Sequence, residues 1–352
     1  MKLGDQTLDE WFIAETARKK GDLRERGPQY KAQYENAATQ LNRYVHPEVT
    51  KGAIAADGGF LTDHGPDHIR KVICRAGDLL RDTECALSLY ETYLVLMAIH
   101  LHDVGNAFGR AGHETVAQRA MDWLGSAAGR DTIEKKLILQ LARAHGGTVS
   151  GSKDTIASLE QQTSLMGCLA RPRLLAALVR LADELADDRE RSSEFMIDTN
   201  TLPAEAEVFH QYANALHSVY IDREASAVRL EYSLEVAVAL RTYQFRSSEW
   251  FLLDYILLRA LKLHTERLYC MRFLRPYGVA LESVVGQIKV FGKPIEPLET
   301  IGFRLSEAGY PTEPLAGIYD LCPELASKQE WAGIKVTGPA LAERLGDADV
   351  TR

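Results

Sequence analysis

Hydrophobic positions recur at helical spacing along most of the first 190 residues, so the elements predicted there are helices. Residues 1–50 form an amphipathic pattern that is interrupted at 26–28 by Arg-Gly-Pro. Residues 51–63 are rich in Gly and Ala, which predicts a loop. Further helices are predicted at 64–80, 91–104, 131–145 and 173–187.

Local signals define the ends of several of these helices. Segment 91–104 is apolar on nearly every face, which is typical of a helix buried inside a bundle, and Gly105 ends it. Asp131 with Glu134 resembles a capping pair at the start of a helix that Gly146 and Gly147 terminate. Pro172 stands where a first helical turn tolerates the missing N–H.

The pattern changes after about residue 188. Two alternating, β-prone runs at 215–222 and 227–235 predict a hairpin, and 284–290 predicts a third strand. Residues 236–275 read as helix, whereas the last 60 residues carry mixed signals and are assigned no element. The predicted fold class is therefore mainly α, a helical bundle with an appended small β-hairpin or sheet and C-terminal helices.

Composition narrows the class of protein. The chain has 352 residues, 46% hydrophobic and 26% charged, which indicates about two globular domains with an ample core. Five scattered cysteines and the absence of an N-terminal apolar run argue against a secreted, disulfide-bonded protein. No stretch is apolar enough for a bilayer, and the net charge of −8 disfavours long nucleic acid as a partner. We expect a cytoplasmic protein that binds a small molecule.

Histidines and aspartates fall in an order that points to metal chemistry. His102 and Asp103 close the apolar helix, where an uncompensated carboxylate would cost several kcal/mol. Asp183 follows Leu175 and Val179 at helical spacing, so it projects from an apolar stripe. Each residue alone fits an ordinary structural role, as a buried histidine often does. The combination with an isolated histidine on another helix, His68, favours a site for a divalent metal with imidazole and carboxylate ligands.

Three segments of the chain resemble the HD superfamily of metal-dependent phosphohydrolases, which is named for its His-Asp doublet. They are LTDHGPDHIRKV (61–72), AIHLHDVGN (98–106) and VRLADELADD (179–188). The text TDHG also resembles a bacterial branch linked to defence loci. The chain lacks the GYP tripeptide of members specialised for cyclic dinucleotides, so cyclic-di-GMP is not a favoured substrate.

The resemblance implies a set of functional residues and a division of the chain. His68, His102, Asp103 and Asp183 would bind a divalent metal ion, with His113 and His145 in the places of ligands to a second ion. The residues do not distinguish Mn, Fe, Mg, Co, Ni and Zn, nor one ion from two. The implied parts are N-terminal helices (1–50), an HD-type metal-binding domain (51–200) and an α+β extension packed on it (201–352).

The implied reaction is hydrolysis of a phosphoester or phosphoanhydride bond, most plausibly in a nucleotide-like small molecule, by a hydroxide that bridges two metals with Asp103. His64 could support a ligand, donate a proton to the leaving group or cap its helix. Arg110 is a candidate for stabilising charge in the transition state, as are Arg70, Arg143 and Arg189. Asp67 and Glu114 could accept hydrogen bonds from the ligand imidazoles.

Two other function classes fit the same residues. A di-iron oxygenase, as in relatives such as myo-inositol oxygenase, shares these ligand types, and dependence of turnover on dioxygen would separate it from a hydrolase. A module that senses or binds a nucleotide is the second, although the complete ligand set argues against a decayed site. The C-terminal third could provide a surface for a homo-oligomer or another partner.

Overall fold

The computed structural model describes residues 1–18, 21–55, 64–108, 116–292, 296–307 and 317–349. The chain divides into two compact units. Unit 1 contains the described residues of Met1–Gly59, Asp63–Ala186 and Tyr269–Ala280, and unit 2 those of Asp187–Leu268 and Leu281–Arg352. The three-part division expected from the sequence stays a prediction.

Unit 1 is a helical bundle with one small hairpin. Its α-helices are α1 (Leu8–Ala17), α2 (Gly27–Gln40), α3 (His46–Ala55), α4 (Pro66–Leu80), α5 (Leu89–Leu101), α6 (Ala117–Leu124), α7 (Thr132–Arg143) and α8 (Pro172–Glu184). A π-helix (Leu41–Val45) joins α2 to α3, and 3-10 helices occupy Arg24–Arg26, Val104–Phe108 and Gly125–Ala128. The hairpin pairs β1 (Thr163–Leu165) with β2 (Cys168–Ala170).

Helix α5 is the centre of unit 1. Every residue from Leu89 to Leu101 is buried, and α1, α2, α4, α7 and α8 pack around it. Ser88 caps its start in a reciprocal box with Glu91, each side chain bonding the other's backbone N–H at 3.1 Å. The predicted buried helix is thereby confirmed, with its start two residues earlier than expected. Its end is at Leu101, three residues before the expected one, and Gly105 lies within the following 3-10 helix.

Unit 2 contains the remaining helices and most of the strands. Its strands are β3 (Leu216–Asp222), β4 (Ala227–Glu235), β5 (Thr242–Phe245), β6 (Ser248–Phe251), β7 (Ser283–Phe291) and β8 (Pro297–Ser306). Its helices are α9 (Glu194–Asp198), α10 (Ala204–Ala215), α11 (Val236–Ala239), most of α12 (Leu252–Leu274), α13 (Ile318–Leu321), α14 (Pro323–Ala326) and α15 (Gly338–Asp349). Short 3-10 helices lie at Arg189–Arg191 and Gln329–Trp331 in unit 2 and at Arg275–Tyr277 in unit 1.

The four-stranded sheet of unit 2 has the order β3-β4-β7-β8. The central pair β4 and β7 is parallel, and the two outer pairs are antiparallel. Gly286 of β7 lies opposite Phe303 of β8, and a Cβ on this glycine would come 2.0 Å from the Phe303 ring. The absence of a side chain at this position therefore makes room for the neighbouring aromatic ring.

The mainly α fold class with a β appendage is confirmed. The predicted hairpin is confirmed as β3 and β4, and the third predicted strand is confirmed as β7. Two expectations are wrong in detail. Residues 51–55 continue α3 instead of forming a loop, while 56–63 lie outside the described residues. The segment 236–275 is not all helix, because β5 and β6 form a further hairpin within it. Among the described residues, no helix is long and apolar enough to cross a membrane.

Candidate metal centre

Four helix ends in unit 1 bring the predicted ligands together. His68 lies in the first turn of α4, and His102 and Asp103 follow the last residue of α5. His145 comes two residues after α7 ends, and Asp183 is the penultimate residue of α8. Because three of these ends are C-terminal, their helix dipoles direct partial negative charge to the place where the ligands meet. The backbone thus favours a cation there.

The core of the site is a tight group of two imidazoles and two carboxylates. One potential ligand atom from each of His68, His102, Asp103 and Asp183 lies within 4.8 Å of the others. The Nε2 atoms of His68 and His102 are 3.2 Å and 3.5 Å from Asp183 Oδ1. The same two nitrogens are 3.7 Å and 3.4 Å from Asp103 Oδ2. Nitrogen and oxygen donors therefore converge on one point.

The second carboxylate oxygen of Asp103 faces another imidazole. His145 Nε2 is 3.5 Å from Asp103 Oδ1, whereas His68 and His102 face the other oxygen, Oδ2. His64 Nδ1 contacts Asp103 Oδ2 at 2.9 Å. The N-cap of α4 is Gly65, so the interpretation of His64 as that cap is wrong. Asp103 is consequently the residue around which the whole cluster is arranged.

Backbone carbonyls fix the orientation of two of the imidazoles. His102 Nδ1 lies 2.7 Å from the carbonyl of Ile99, and His145 Nδ1 lies 2.5 Å from the carbonyl of Ala142. Each Nδ1 must carry the proton to donate to a carbonyl, so in the neutral imidazole the lone pair is on Nε2, the atom that faces Asp103. Asp67, expected to accept such a bond, instead pairs with Arg70. Glu114 lies outside the described residues.

The charge balance of the cluster is unusual for a buried site. Burial favours the neutral form of Asp103, but the His102 imidazole and hydrogen bonds from neighbouring histidines hold the pKa of that carboxyl well below its usual value. Burial likewise opposes the charged form of His102, yet Asp103 and Asp183 hold the pKa of its imidazole well above its usual value. These groups attract positive charge strongly, whether from protons or from a metal ion.

Unsatisfied nitrogen atoms test whether a metal fits these residues. Within the described residues, neither ring nitrogen of His68 has a hydrogen-bond partner, and His102 Nε2 has none. Both side chains are fully buried, so the missing bonds carry a desolvation cost. A divalent ion bound to the two Nε2 atoms and the two carboxylates would satisfy both of these Nε2 atoms. The residues present fit such an ion.

The predicted site residues fall into two groups. The structure brings together six of them: His64, His68, His102, Asp103, His145 and Asp183. His113 and Arg110 lie outside the described residues. Arg189, another candidate cation, is half-exposed and pairs with Glu194 at 2.8 Å.

Sequence reasoning missed Arg180, which bonds the backbone beside His145. Its signal is a lone charged residue inside the apolar run Leu-Val-Arg-Leu-Ala, three positions before Asp183.

Comparison with known proteins supports the same part of the chain. The family model described as HD-CE matches residues 58–263, which is more than half of the chain and includes every residue of the cluster. No curated protein matches the chain.

Proposed function

Because this chain belongs to the HD-CE family, we propose that it is a metal-dependent phosphohydrolase and that His68, His102, Asp103 and Asp183 hold its metal. The observation that carries the proposal is the convergence of these four ligand atoms within 4.8 Å, two of them nitrogens with no hydrogen-bond partner in the described structure. A divalent ion held there would supply Lewis acidity toward a phosphoryl oxygen and lower the pKa of a bound water.

The protein's own residues hold and shield this centre. The imidazoles of His68 and His102 are fully buried, whereas 26% of the Asp183 side chain is exposed. Because of this difference in exposure, a substrate would reach the site from the Asp183 side, and water is excluded on the imidazole side. Exclusion of water strengthens every charge interaction in the site.

His64 is proposed to hold the Asp103 carboxylate in place. Its Nδ1 donates to Asp103 Oδ2, the oxygen that also faces His68 and His102. A hydrogen bond of this kind fixes the orientation of the carboxylate and so determines which of its oxygens faces each imidazole. His113 and Arg110 remain sequence-based proposals for a further ligand and a charge-stabilising cation.

A nucleotide-like small molecule is the proposed substrate. A cluster of hard and borderline ligands suits a metal that binds phosphate oxygens. The net charge of −8 disfavours an extended phosphate backbone, but it permits a compact phosphate ester neutralised by the metal. The bond cleaved would be a phosphoester or a phosphoanhydride.

Product analysis of a nucleotide panel tests this function. Mono-, di- and triphosphates, cyclic nucleotides and short oligonucleotides are incubated with Mn²⁺ and wild type, Asp103→Asn or Asp67→Asn. Asp67 is a matched control because it is an exposed carboxylate on α4 that pairs with Arg70. We expect product from wild type and Asp67→Asn, and a loss of at least about 100-fold with Asp103→Asn.

Two outcomes would contradict the proposal. Equal turnover by Asp103→Asn would separate the activity from this cluster. Turnover that requires dioxygen and yields no phosphate release would assign the cluster to a di-iron oxygenase instead.

A further inference from the structure

Arg180 is a charged residue in the apolar interior of unit 1. It lies on α8, three residues before Asp183, and only 8% of it is exposed. Its chain neighbours Val179 and Leu181 are fully buried. A guanidinium in such surroundings is retained only where its hydrogen bonds offset the cost of desolvation.

The guanidinium bonds the backbone that carries His145. Its Nη1 donates to the carbonyl of Ala144 at 3.4 Å and to Thr155 Oγ1 at 3.0 Å. The Thr155 hydroxyl donates to the same Ala144 carbonyl at 2.7 Å. Two donors thus converge on the peptide group that joins Ala144 to His145.

An aromatic ring completes the pocket around the guanidinium. The Arg180 Cζ atom lies 4.7 Å from the centroid of the Tyr269 ring, in the geometry of a cation–π contact. The Tyr269 hydroxyl donates to Asp154 at 2.7 Å and accepts from the Ile156 N–H at 2.9 Å. These bonds hold the segment around Thr155 against the same guanidinium.

The position of the bonded carbonyl gives Arg180 its significance. The Ala144 carbonyl and the His145 N–H belong to one planar peptide group, so fixing the oxygen fixes the plane from which His145 extends. The His145 ring then donates from Nδ1 to Ala142 and presents Nε2 to Asp103 Oδ1. One helix, α8, therefore supplies Asp183 to the cluster and, through Arg180, bonds the backbone of the histidine that faces Asp103 Oδ1.

We propose that Arg180 is a positioning residue that holds His145 against Asp103 and thereby sets the metal affinity of the His145 side of the centre. The inference rests on the proposed metal centre. A planar guanidinium suits the role better than an ammonium group, because it can bond two acceptors in fixed directions while stacking on an aromatic ring.

Binding of Mn²⁺ by equilibrium dialysis tests the proposal without any substrate. The variants are Arg180→Met, His145→Ala, the double variant, and Arg173→Met as a matched control. Arg173 lies on the same helix and donates to the carbonyls of Leu159 and Ala157, which follow Thr155 along the chain. Its bonds thus resemble those of Arg180 but do not reach the peptide of His145.

We expect Arg180→Met to weaken Mn²⁺ binding about tenfold or more, as loss of a group that orients a ligand does. Because Arg180 acts through His145, the double variant should bind Mn²⁺ no more weakly than His145→Ala alone. Arg173→Met should bind Mn²⁺ like wild type. A merely structural arginine would give losses that multiply in the double variant.

Three results would distinguish failure of the positioning role from failure of the proposed function. Wild-type affinity in Arg180→Met, or multiplied losses in the double variant, would overturn the positioning role. A wild-type protein that binds no Mn²⁺ would overturn the proposed function itself. If Arg180→Met does not fold, as judged by circular dichroism, Thr155→Val takes its place, with an expected loss of about threefold that likewise disappears in the His145→Ala background.

Discussion

In the described part of the chain, both ring nitrogens of His68 are buried without a hydrogen-bond partner. The Nε2 atom faces Asp183 Oδ1 at 3.2 Å, but the pair lacks hydrogen-bond alignment. A buried, unsatisfied imidazole costs free energy of folding, and most natural proteins avoid such groups. On the proposed function, His68 lowers the stability of the metal-free chain and in return provides affinity toward a cation.

The variant His68→Leu tests both the cost of the unsatisfied imidazole and its role in metal binding. Without metal, we expect its unfolding free energy to equal or exceed that of wild type by about 1 kcal/mol, because leucine fills the space without an orphaned polar atom. Mn²⁺ at 100 times its dissociation constant should stabilise wild type by about 2.7 kcal/mol and leave the variant unchanged. Urea unfolding in EDTA and in Mn²⁺ measures both quantities.

Either of two results would contradict this account of His68. A metal-free variant more than about 2 kcal/mol less stable than wild type would show that the imidazole supports the fold. Retained stabilisation by Mn²⁺ would remove His68 from the metal centre.

At the residue scale, the sequence indicated most of the candidate metal centre. His102, Asp103 and Asp183 stand out because polar side chains end apolar helices. His68 stands out only in combination with them, and His145 only through the family resemblance. Arg180 lies three residues before Asp183, but the sequence does not show that its guanidinium bonds the backbone beside His145. The carbonyls that orient His102 and His145 carry no side-chain signal at all, so only the folded backbone identifies them.

At the scale of elements, the start of α5 depends on a buried ion pair. Glu91, which caps the helix, is only 2% exposed, and Arg171 bonds it through Nε at 2.8 Å and Nη2 at 2.6 Å. The Arg171 backbone N–H adds a third bond to Glu91 Oε1 at 3.0 Å. Arg171 immediately precedes α8, so this pair ties the start of α5 to the start of α8.

Removal of the cation should therefore cost far more than loss of a surface pair. Arg171→Met leaves the Glu91 carboxylate buried without its countercharge, and we expect a loss of about 3 kcal/mol in urea unfolding. Arg18→Met serves as the control, because Arg18 pairs with Glu15 in an exposed i,i+3 pair of small expected value.

The double variant Arg171→Met/Glu91→Gln tests the stated cause. Removing the carboxylate's charge should recover part of the stability lost in Arg171→Met. A loss in Arg171→Met no greater than in Arg18→Met would mean that the pair contributes little to the helix start.

Elements whose ends carry a recognisable capping or turn residue were predictable from the sequence, and elements without such residues were not. Asp131 caps α7 by accepting from the Glu134 N–H at 2.7 Å, as the sequence predicted. The hairpin of β5 and β6 turns on Arg246 and Ser247, both at positive φ (50° and 62°). Such turns ordinarily carry glycine or asparagine, so this one left no recognisable signal and the segment read as helix.

At the scale of the whole molecule, each unit contains a deeply buried histidine that is not a proposed ligand. His46 in unit 1 is 1% exposed, and His264 in unit 2 is 2% exposed. Burial lowers the pKa of each imidazole from 6.5 to about 4; for His264 the nearby Arg267 adds to the effect. Both side chains are therefore neutral in the folded protein at pH values where the unfolded chain protonates them.

The sign of the resulting pH dependence follows from proton counting. Between about pH 6.5 and 4 the unfolded state binds more protons at these histidines, so their contribution to stability is lost as the pH falls through that window. We expect His264 alone to contribute about 2 kcal/mol of this loss. Urea unfolding in EDTA from pH 7.5 to 4.5, with wild type beside His264→Gln, measures the difference.

His217, which is exposed on β3, supplies the matched control for this titration. His217→Gln should follow the wild-type curve, and His264→Gln should show a shallower fall in stability toward acid. Parallel curves for wild type and His264→Gln would show that His264 does not drive the acid loss.

The carbonyls of Ile99 and Ala142 have a consequence for how such a centre can diversify. Each accepts from a histidine three residues later, at a helix end where carbonyls have no other helical partner. The tautomer that leaves Nε2 available is thus set by main-chain atoms and not by the identity of a neighbouring side chain. Evolution or protein engineering can therefore change the surrounding side chains to admit new substrates, while Nε2 of His102 and of His145 stays available as a ligand.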